Sequence, residues 1–363
     1  MESLKTRVRN PKAAIYEIPG KKFRRFLVST PQTRKICNIP EIAGQEFRDL
    51  LRTAVINTLK NLPDDVPFSQ FDDRKVSVFH FLRGGLNYDL IQALYQAYGF
   101  NRISSSFMTS QRYRKKDGWA IKMDQYRQFS VLPDSYLFIG DVVATGTTLE
   151  NGLEVIREKA LEQKSRIRTF ALFTIGGPRA EEILEKYYRQ FKKDFQTEEF
   201  YLFYFEGRFG LAESDTPLTI SIPGTDLLRC PALLTPEFEL SQSEKITYPL
   251  ERCVIYDVGA KSFEALAHLK EVKEYWEQLK ETGLTLYEAV KERWPQEEYE
   301  DFDSLLKAKR KVWPDLPKYF LEKLYKDHHT ARSENFLKSS RQKDSLKKLC
   351  DQRIKKLESL IQG

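Results

Sequence analysis

The chain has 363 residues, of which 41% are hydrophobic and 13% are aromatic, so it can bury the core of one large or two ordinary domains. Its four cysteines include no C-x-x-C pair and it has only four histidines, which disfavours a zinc site and fits a reducing compartment. It has neither an apolar run of membrane-spanning length nor a secretory-type apolar segment after its first basic residues, so we expect a cytoplasmic protein that does not bind a membrane.

The net charge of +7 is concentrated at the two ends of the chain. Residues 1–36 carry ten Lys/Arg and two acids, residues 326–363 carry ten and five, and the remainder therefore has a net charge of −6. We interpret residues 1–44 as a basic N-terminal arm. Such ends are either solvated or contact nucleic acid or an acidic protein partner, and the aromatic residues beside the arginines at 23–26 are compatible with the second alternative.

A central domain is predicted over residues 45–240. It begins with residues 45–62, whose apolar side chains recur on one face of a helix that Pro63 ends. Residues 76–82 (VSVFHFL) then form a β-branched and aromatic run typical of a buried strand, and residues 87–98 have the periodicity of a helix.

The turn between this strand and this helix consists of Arg83, Gly84 and Gly85. Two glycines allow backbone amides to approach an anion closely, and an arginine can neutralise its charge. A surface arginine on an ordinary turn is the alternative. Downstream, residues 104–122 are predicted to form a mobile basic loop, whose clustered cations are Arg112, Arg114, Lys115 and Lys116.

The most informative motif is residues 136–150, YLFIGDVVATGTTLE. Residues 136–139 predict a buried strand, Asp141 follows it, and a turn leads into a helix over residues 149–162. The turn consists of Ala144, Thr145, Gly146, Thr147 and Thr148. Hydroxyls and backbone amides at a helix start favour phosphate binding, although the spacing is that of neither a P-loop nor a dinucleotide-binding turn. An aspartate that only caps its turn is the structural alternative.

Strands and helices continue to alternate after this motif. Further strands are predicted at residues 168–175 and 199–205, with a helix at 178–195 between them. Such alternation predicts an α/β fold with a parallel sheet and helices on both faces. Because ligands of open α/β sheets bind beyond the carboxyl ends of the strands, we expect Arg83, Asp141 and the Gly176-Gly177 pair to share one crevice. Residues 206–225 are predicted to form a loop.

Residues 241–363 are predicted to form a mainly helical extension. Apolar residues recur at helical spacing in two segments, at Val272, Tyr275, Trp276 and Leu279 and at Cys350, Ile354, Leu357 and Ile361. The terminal helix is expected to pack on the rest of the chain or to pair with a partner helix, and a homodimer is one such arrangement. Asp257, in the stretch VIYDVGAKS, is interpreted as part of a structural turn rather than of a second site.

The order of these motifs resembles the type I phosphoribosyltransferase family over roughly residues 45–205. In that family two acids and a T-G-x-T turn follow a buried strand; here Asp141 takes the second acid position, and Thr145, Gly146 and Thr148 take the turn. The resemblance implies binding of phosphoribosyl pyrophosphate and Mg²⁺. It also implies transfer of phosphoribose to a nucleobase or a related small acceptor, with release of pyrophosphate.

The resemblance implies a role for each motif. The backbone amides and hydroxyls of residues 145–148 would bind the 5′-phosphate, with Ala144 in the same ligand-binding turn. Asp141 would accept hydrogen bonds from the ribose hydroxyls. Arg83 and the amides of Gly84 and Gly85 would stabilise the departing pyrophosphate, over which the basic loop closes. Asp141 and Arg83 are therefore the implied catalytic residues, and Asp141 would reach magnesium only through the ribose or a water molecule.

Two residues depart from the family pattern. Gly140 stands where the family usually has its first acid, and Ala144 lacks the acid with which 6-oxopurine enzymes of the family handle the base proton. Hypoxanthine or guanine transfer is therefore disfavoured. The alternative function is a regulatory or defence effector module that uses the same fold to bind a nucleotide-like ligand or nucleic acid. Gly140, the basic ends and the helical extension favour that alternative.

Overall fold

The computed structural model describes residues 2–82, 84–115, 118–128, 131–295, 299–331 and 333–363, with only the backbone described at 110–115, 118–128, 328, 329, 331 and 334. Within these ranges the strands are β1 (Lys5–Arg9), β2 (Ala14–Ile18), β3 (Arg24–Ser29), β4 (Val76–Leu82), β5 (Ser104–Lys115), β6 (Gly118–Gln128), β7 (Ser135–Val143), β8 (Ile167–Gly176), β9 (Glu199–Leu211) and β10 (Leu227–Leu234).

The helices of the first 240 residues or so are α1 (Pro31–Asn38), α2 (Gly44–Lys60), α3 (Leu90–Tyr98), α4 (Thr147–Glu162), α5 (Arg179–Phe195) and α6 (Pro236–Ser241). Those of the remainder are α7 (Thr247–Leu250), α8 (Val258–Phe263), α9 (Ala265–Glu281), α10 (Leu286–Arg293), α11 (Phe302–Val312), α12 (Lys318–Ala331), α13 (Glu334–Ser340) and α14 (Ser345–Gln362). Short 3-10 helices span Pro67–Gln70, Asp73–Lys75 and Gly84–Tyr88.

All ten strands belong to one mixed sheet. Its order is β1-β2-β3-β9-β8-β7-β4-β5-β6, with β10 also paired to β9. Neighbours from β3 to β5 in this order run parallel, whereas β1, β2, β6 and β10 pair antiparallel with their neighbours. The predicted α/β architecture with a central sheet and flanking helices is confirmed, and the sheet is parallel only in its centre.

The connections leave the centre of the sheet in opposite directions at β4 and β7. The helix α3, which leads from β4 to β5, buries its apolar side chains on one face together with α1 and α2. The helices α4 and α5 follow β7 and β8, and they bury their apolar side chains on the opposite face of the sheet. The adjacent strands β4 and β7 thus flank a topological switch point, and α/β sheets bind ligands in the crevice at the carboxyl ends of such strands.

Three predicted strand or helix boundaries differ from the structure by three residues or more. The strand predicted to end at residue 139 continues to Val143, because its pairing with β8 extends as far as Gly176. The strand β9 runs to Leu211, into the predicted loop, because β10 pairs with its far end. The helix predicted from residue 87 begins at Leu90, after the 3-10 helix that follows β4.

The N-terminal segment is part of the sheet rather than a basic arm. Its apolar residues are buried in β2 and β3, and many of its cations form ion pairs within the chain. Examples are Arg24 with Glu17 at 3.0 Å and the buried Arg25 with Glu181 at 2.7 Å. The prediction of an exposed arm at residues 1–44 rested on the number of cations alone. The acids that neutralise several of these cations lie in distant parts of the chain, so the local sequence does not indicate them.

The predicted mobile loop is a β-hairpin in the structure. The strand β5 pairs with β4 as far as Thr109, and residues 110–115 pair only with β6, so a two-stranded ribbon extends past the carboxyl end of β4. The register shifts between Thr109 and Ser110 and again between Gln111 and Arg112, where the ribbon leaves the sheet. Arg112, Arg114 and Lys115 belong to this ribbon, and Lys116 lies outside the described residues.

The helical character predicted for residues 241–363 is confirmed, but the extension packs in two places. Part of it joins the sheet core on the face of α4 and α5, through side chains that include Leu305, Trp313 and Leu321. Another part, including α9 and α14, forms a cluster with Trp276 and Leu357 at its centre. The apolar face of the terminal helix therefore packs on the chain itself.

Among the described helices, none is both long enough and apolar enough to cross a lipid bilayer.

Candidate functional site

The glycine turn after β4 and the acid in β7 meet at the switch point. A Cβ atom built on Gly84 would lie 2.8 Å from Oδ1 of Asp141, and one built on Gly85 would lie 3.0 Å from the carbonyl oxygen of Gly140. Larger residues at either position would displace the carboxylate or the strand. The two glycines are thus required for the close approach of two motifs that lie more than 50 residues apart in the sequence. This closeness agrees with the expectation that the turn after β4 and Asp141 lie in one crevice.

Asp141 is 8% exposed and lies within β7 rather than after it. Its carboxylate faces the turn at Gly84, while Arg83, the cation predicted to stand beside it, lies outside the described residues. A carboxylate at the carboxyl end of a central strand, next to a glycine turn, is placed to accept hydrogen bonds from a bound polar ligand.

Tyr88 fills the space beside Gly140. A Cβ atom on Gly140 would lie 2.6 Å from the Cβ of Tyr88, so no side chain fits there. The Tyr88 hydroxyl donates to the Asp141 carbonyl oxygen at 2.9 Å and accepts from the Ile175 N–H at 3.2 Å. Burial raises the pKa of this hydroxyl well above its ordinary value, so it remains protonated. The position that would hold the family's first acid is thus occupied by an aromatic ring.

The turn after β7 leaves the N-terminus of α4 without a side-chain cap. Gly146 is the N-cap residue, with a φ of 77°, and a Cβ atom on it would collide with Ile183. By contrast, the side chain of Thr30 caps α1 by accepting from the N–H of Thr33. Because the first N–H groups of a helix have no intrahelical partners, the 16-residue helix α4 offers donors and a favourable dipole to an anion.

The side chains of this turn are only partly buried. Ala144, Thr145, Thr147 and Thr148 are each of intermediate exposure, and the hydroxyls of Thr145 and Thr147 lie 3.2 Å apart. The N–H of Gly177 donates to the Val143 carbonyl oxygen at 3.0 Å, which places the end of β8 against the start of the turn. The ends of β4, β7 and β8 therefore form one continuous edge.

The C-terminal extension forms a wall of the site that the sequence did not indicate. Cγ1 of Val258 lies 3.2 Å from the Cβ position of Gly84, and the Asn87 side chain donates to the Val258 carbonyl oxygen at 3.1 Å. The neighbouring Asp257 accepts from the N–H groups of Gly259 and Ala260 and caps α8, in line with the structural turn predicted for it. The sequence around Asp257 predicts a turn, but it does not indicate that the helix after it packs against the turn at Gly84.

Comparisons with known proteins found no matching family model and no matching curated sequence. Solved structures similar to this chain include the AQ2163 protein from Aquifex aeolicus, with 14% identity over 50% of this chain and 86% of that one and a TM-score of 0.32. Adenine phosphoribosyltransferase from Trypanosoma brucei has 11% identity over 50% and 82%, with a TM-score of 0.30. Purine phosphoribosyltransferase from Pyrococcus horikoshii has 16% identity over 43% and 86%, with a TM-score of 0.25.

Proposed function

We propose that this chain is a phosphoribosyltransferase-like protein that binds phosphoribosyl pyrophosphate at the carboxyl ends of β4 and β7. The observation that carries the proposal is the approach of Gly84 to the Asp141 carboxylate at the topological switch point, beside an uncapped helix N-terminus. Two anion-binding turns and one acid on a continuous edge suit a ligand that has a phosphate at one end, a diphosphate at the other and ribose hydroxyls between them.

Each element has a distinct role in this proposal. The amides and hydroxyls of residues 145–148 bind the 5′-phosphate, and Asp141 accepts hydrogen bonds from the ribose. Arg83 and the amides of Gly84 and Gly85 hold the diphosphate, and the ribbon that carries Arg112, Arg114 and Lys115 closes over it.

Magnesium fits this arrangement through the ligand. Mg²⁺ keeps several waters and is commonly bound by one or two carboxylates together with substrate phosphates. The described residues contain no group of three or more His, Cys, Asp and Glu side chains that could hold a metal, whereas Asp141 supplies a single carboxylate beside the diphosphate turn. The ion would neutralise charge on the departing pyrophosphate.

The reaction proposed is displacement at the anomeric carbon. A nitrogen atom of a nucleobase or related acceptor forms a bond to that carbon, the bond to pyrophosphate breaks, and the acceptor nitrogen loses its proton. Ala144 supplies no acid or base for that proton, so we propose acceptors other than 6-oxopurines.

The experiment is release of pyrophosphate from phosphoribosyl pyrophosphate and Mg²⁺ in the presence of a panel of nucleobases. Asp141→Asn should lower kcat/KM at least about 100-fold, since it removes the ribose-facing charge. Asp134→Asn is a matched control, because Asp134 precedes the opposite end of the same strand and pairs with Lys75. Equal turnover by wild type and Asp141→Asn would contradict the site.

The second candidate is a binding module without transfer chemistry, and the packing of Tyr88 against Gly140 favours it. A site with one carboxylate in place of two loses a charge-assisted hydrogen bond worth about 1.5–3 kcal/mol, which binding can survive more readily than catalysis. Calorimetry separates the two candidates. Magnesium-dependent binding of phosphoribosyl pyrophosphate with no turnover across the panel supports the module, whereas turnover supports the transferase.

A further inference from the structure

We propose that a basic groove beside α5 binds the phosphate backbone of a nucleic acid. The groove has a volume of about 580 Å³ and is lined by Lys22, Tyr188, Arg189, Lys192 and Lys193. Lys22 belongs to the turn between β2 and β3, and the other four residues belong to the second half of α5. Four of the five lining residues are thus cations, and they come from two segments that lie more than 160 residues apart in the sequence.

The groove lies at the opposite edge of the sheet from the proposed phosphoribosyl site. Because β8 and β9 run parallel, α5 leads the chain from the carboxyl edge of the sheet back to the amino edge. The helix has 17 residues and is therefore about 25 Å long. The turn that carries Lys22 lies at the same amino edge, since Arg24 pairs with Tyr201 near the start of β9. The proposal is therefore independent of the proposed function.

Three lysines of the groove are exposed and form no ion pair within the part of the chain that the structure describes. They are Lys22, Lys192 and Lys193. The ammonium group of Lys192 lies 5.5 Å from the centre of the Tyr188 ring and donates to its hydroxyl at 3.4 Å, so a neutral group is its contact in the groove. Exposed cations without carboxylate partners are available to phosphate oxygens.

The carboxylate of Glu185 connects the two cationic segments. It pairs with Arg189 of α5 at 2.6 Å and with Lys21 of the turn between β2 and β3 at 2.6 Å. One acid thus holds two cations, and it keeps the turn with its further lysine beside the helix. The groove is therefore formed before any ligand binds.

The cations outnumber the acids even when the neighbouring acids and their own partners are included. Asp194 follows Lys193 and pairs with Arg157 at 2.6 Å, and Arg157 also pairs with Glu154 at 3.1 Å. Glu199 interacts electrostatically with the groove and with the first residue of β3, which belongs to a cluster of two arginines and two acids. That cluster adds no net charge. The other groups are six cations and four acids, with a net charge of +2.

The composition of the groove favours a nucleic acid over an acidic protein. Its one aromatic lining residue, Tyr188, is only 5% exposed, whereas protein interfaces depend on aromatic and apolar side chains that a partner can cover. A phosphate backbone is bound by cations alone. The helix dipole favours Lys192 and Lys193 in the last turn of α5, but its effect fades before Arg189.

The test is fluorescence anisotropy of the full chain with a labelled oligothymidylate of about 20 nucleotides, and with a duplex of equal length. Binding of either probe that weakens with salt supports the proposal. For the single strand, the logarithm of the affinity should fall with that of the salt concentration at a slope of about −2 to −3, since each neutralised phosphate contributes about −0.7. Absence of binding to both probes at about 50 mM salt would overturn the proposal.

Replacing the adjacent pair Lys192 and Lys193 by glutamine should weaken binding at least about 10-fold and reduce the slope by about 0.7 for each lysine. The matched control replaces Lys347 and Lys348, an adjacent exposed pair on α14, and should keep the affinity within about twofold. Lys22→Gln should weaken binding about 3-fold, as a variant of the other segment. An equal loss in the two double variants would contradict the groove, because it would assign binding to net charge.

Competition distinguishes the groove from other sites and other partners. Phosphoribosyl pyrophosphate should leave the oligonucleotide bound, since the crevice lies at the other edge of the sheet. Displacement by this ligand would place the oligonucleotide in the crevice. Displacement by polyglutamate at equal charge concentration would assign the groove to an acidic protein partner. Either result would overturn the proposal.

Discussion

The ring of Tyr88 lies against the backbone of Gly140, in the volume that a side chain at position 140 would need. The hydroxyl of the same tyrosine connects the adjacent Asp141 carbonyl to the backbone of β8. Glycine at this position is therefore a packing requirement. One residue pair thus explains why glycine stands at position 140 and ties the backbone of Asp141 to β8.

Placing an acid at position 140 alone should destabilise the protein. Gly140→Asp should lower the free energy of unfolding by about 3 kcal/mol or more, since it forces a carboxylate into the ring of Tyr88. In Tyr88→Ala the same substitution should cost less, with a coupling energy of at least about 1 kcal/mol in a double-mutant cycle measured by denaturant unfolding. Strict additivity of the two substitutions would show that the ring and the backbone of residue 140 do not compete for space.

Tyr88→Phe removes the hydroxyl that satisfies the buried N–H of Ile175. We expect a loss of about 1–3 kcal/mol in the free energy of unfolding and weaker binding of phosphoribosyl pyrophosphate, because the strand that carries Asp141 loses a tether. The control is Tyr98→Phe, whose hydroxyl donates to the Leu59 carbonyl oxygen at 2.7 Å, away from the site. Calorimetry should find the ligand affinity of Tyr98→Phe unchanged; a matching loss in both variants would remove the special role of Tyr88.

Gly146→Ala should weaken both stability and phosphate binding. Its left-handed φ of 77° and the contact with Ile183 both oppose a side chain. Gly99 has a similar φ of 74° with nothing within 4 Å of its Cβ position, so Gly99→Ala should cost only the backbone strain, about 1 kcal/mol. We expect thermal unfolding to place Gly146→Ala at least about 1 kcal/mol below that control. Calorimetry should find tight phosphoribosyl pyrophosphate binding only in the control.

Glu206 should make stability depend on pH. This buried residue, at a φ of 64°, accepts hydrogen bonds from the Thr30 N–H and from the hydroxyls of Thr33 and Thr235 at the starts of α1 and α6. Burial raises the pKa of its carboxyl from 4.5 to about 7. A raised folded-state pKa stabilises the protein fully below about pH 4.5, and this contribution is lost as the pH rises through about 7.

The total contribution from Glu206 is about 3 kcal/mol, from about 1.4 kcal/mol per pKa unit. Denaturant unfolding between pH 5 and 8 should therefore show falling stability in the wild type and a flatter profile in Glu206→Gln. A variant whose profile has the same slope as the wild type would assign the pH dependence to other groups.

Much of the central sheet follows from local pattern. The run VSVFHFL predicts β4 residue for residue, and the strand and turn around Asp141 predict the junction of β7 with α4, because burial on both faces and glycine turns leave local signals. The hairpin formed by β5 and β6 was missed because its many charges are typical of a loop, although a two-stranded ribbon can also carry charged residues. The neutralising partners of the N-terminal cations lie far away in the chain and leave no local signal.

The partners of the site residues could not be predicted from one sequence. Nothing near Gly140 identifies Tyr88 as the side chain that occupies its space, and nothing near Gly84 identifies Val258. Both pairs form only when the chain has folded, through contacts that span tens to hundreds of residues. The motifs thus predicted which segments meet at the carboxyl edge of the sheet, whereas the side chains that shape this edge could not be predicted.

The contact between Val258 and Gly84 places the helical extension against the crevice. Val258 begins α8, which leads directly into α9 and the cluster around Trp276. If a ligand in the crevice displaced α8, the coupling would be reciprocal, and binding at those helices would change the affinity of the crevice by the same factor. The last third of the chain thus has a route to the site without contributing a reacting group to it.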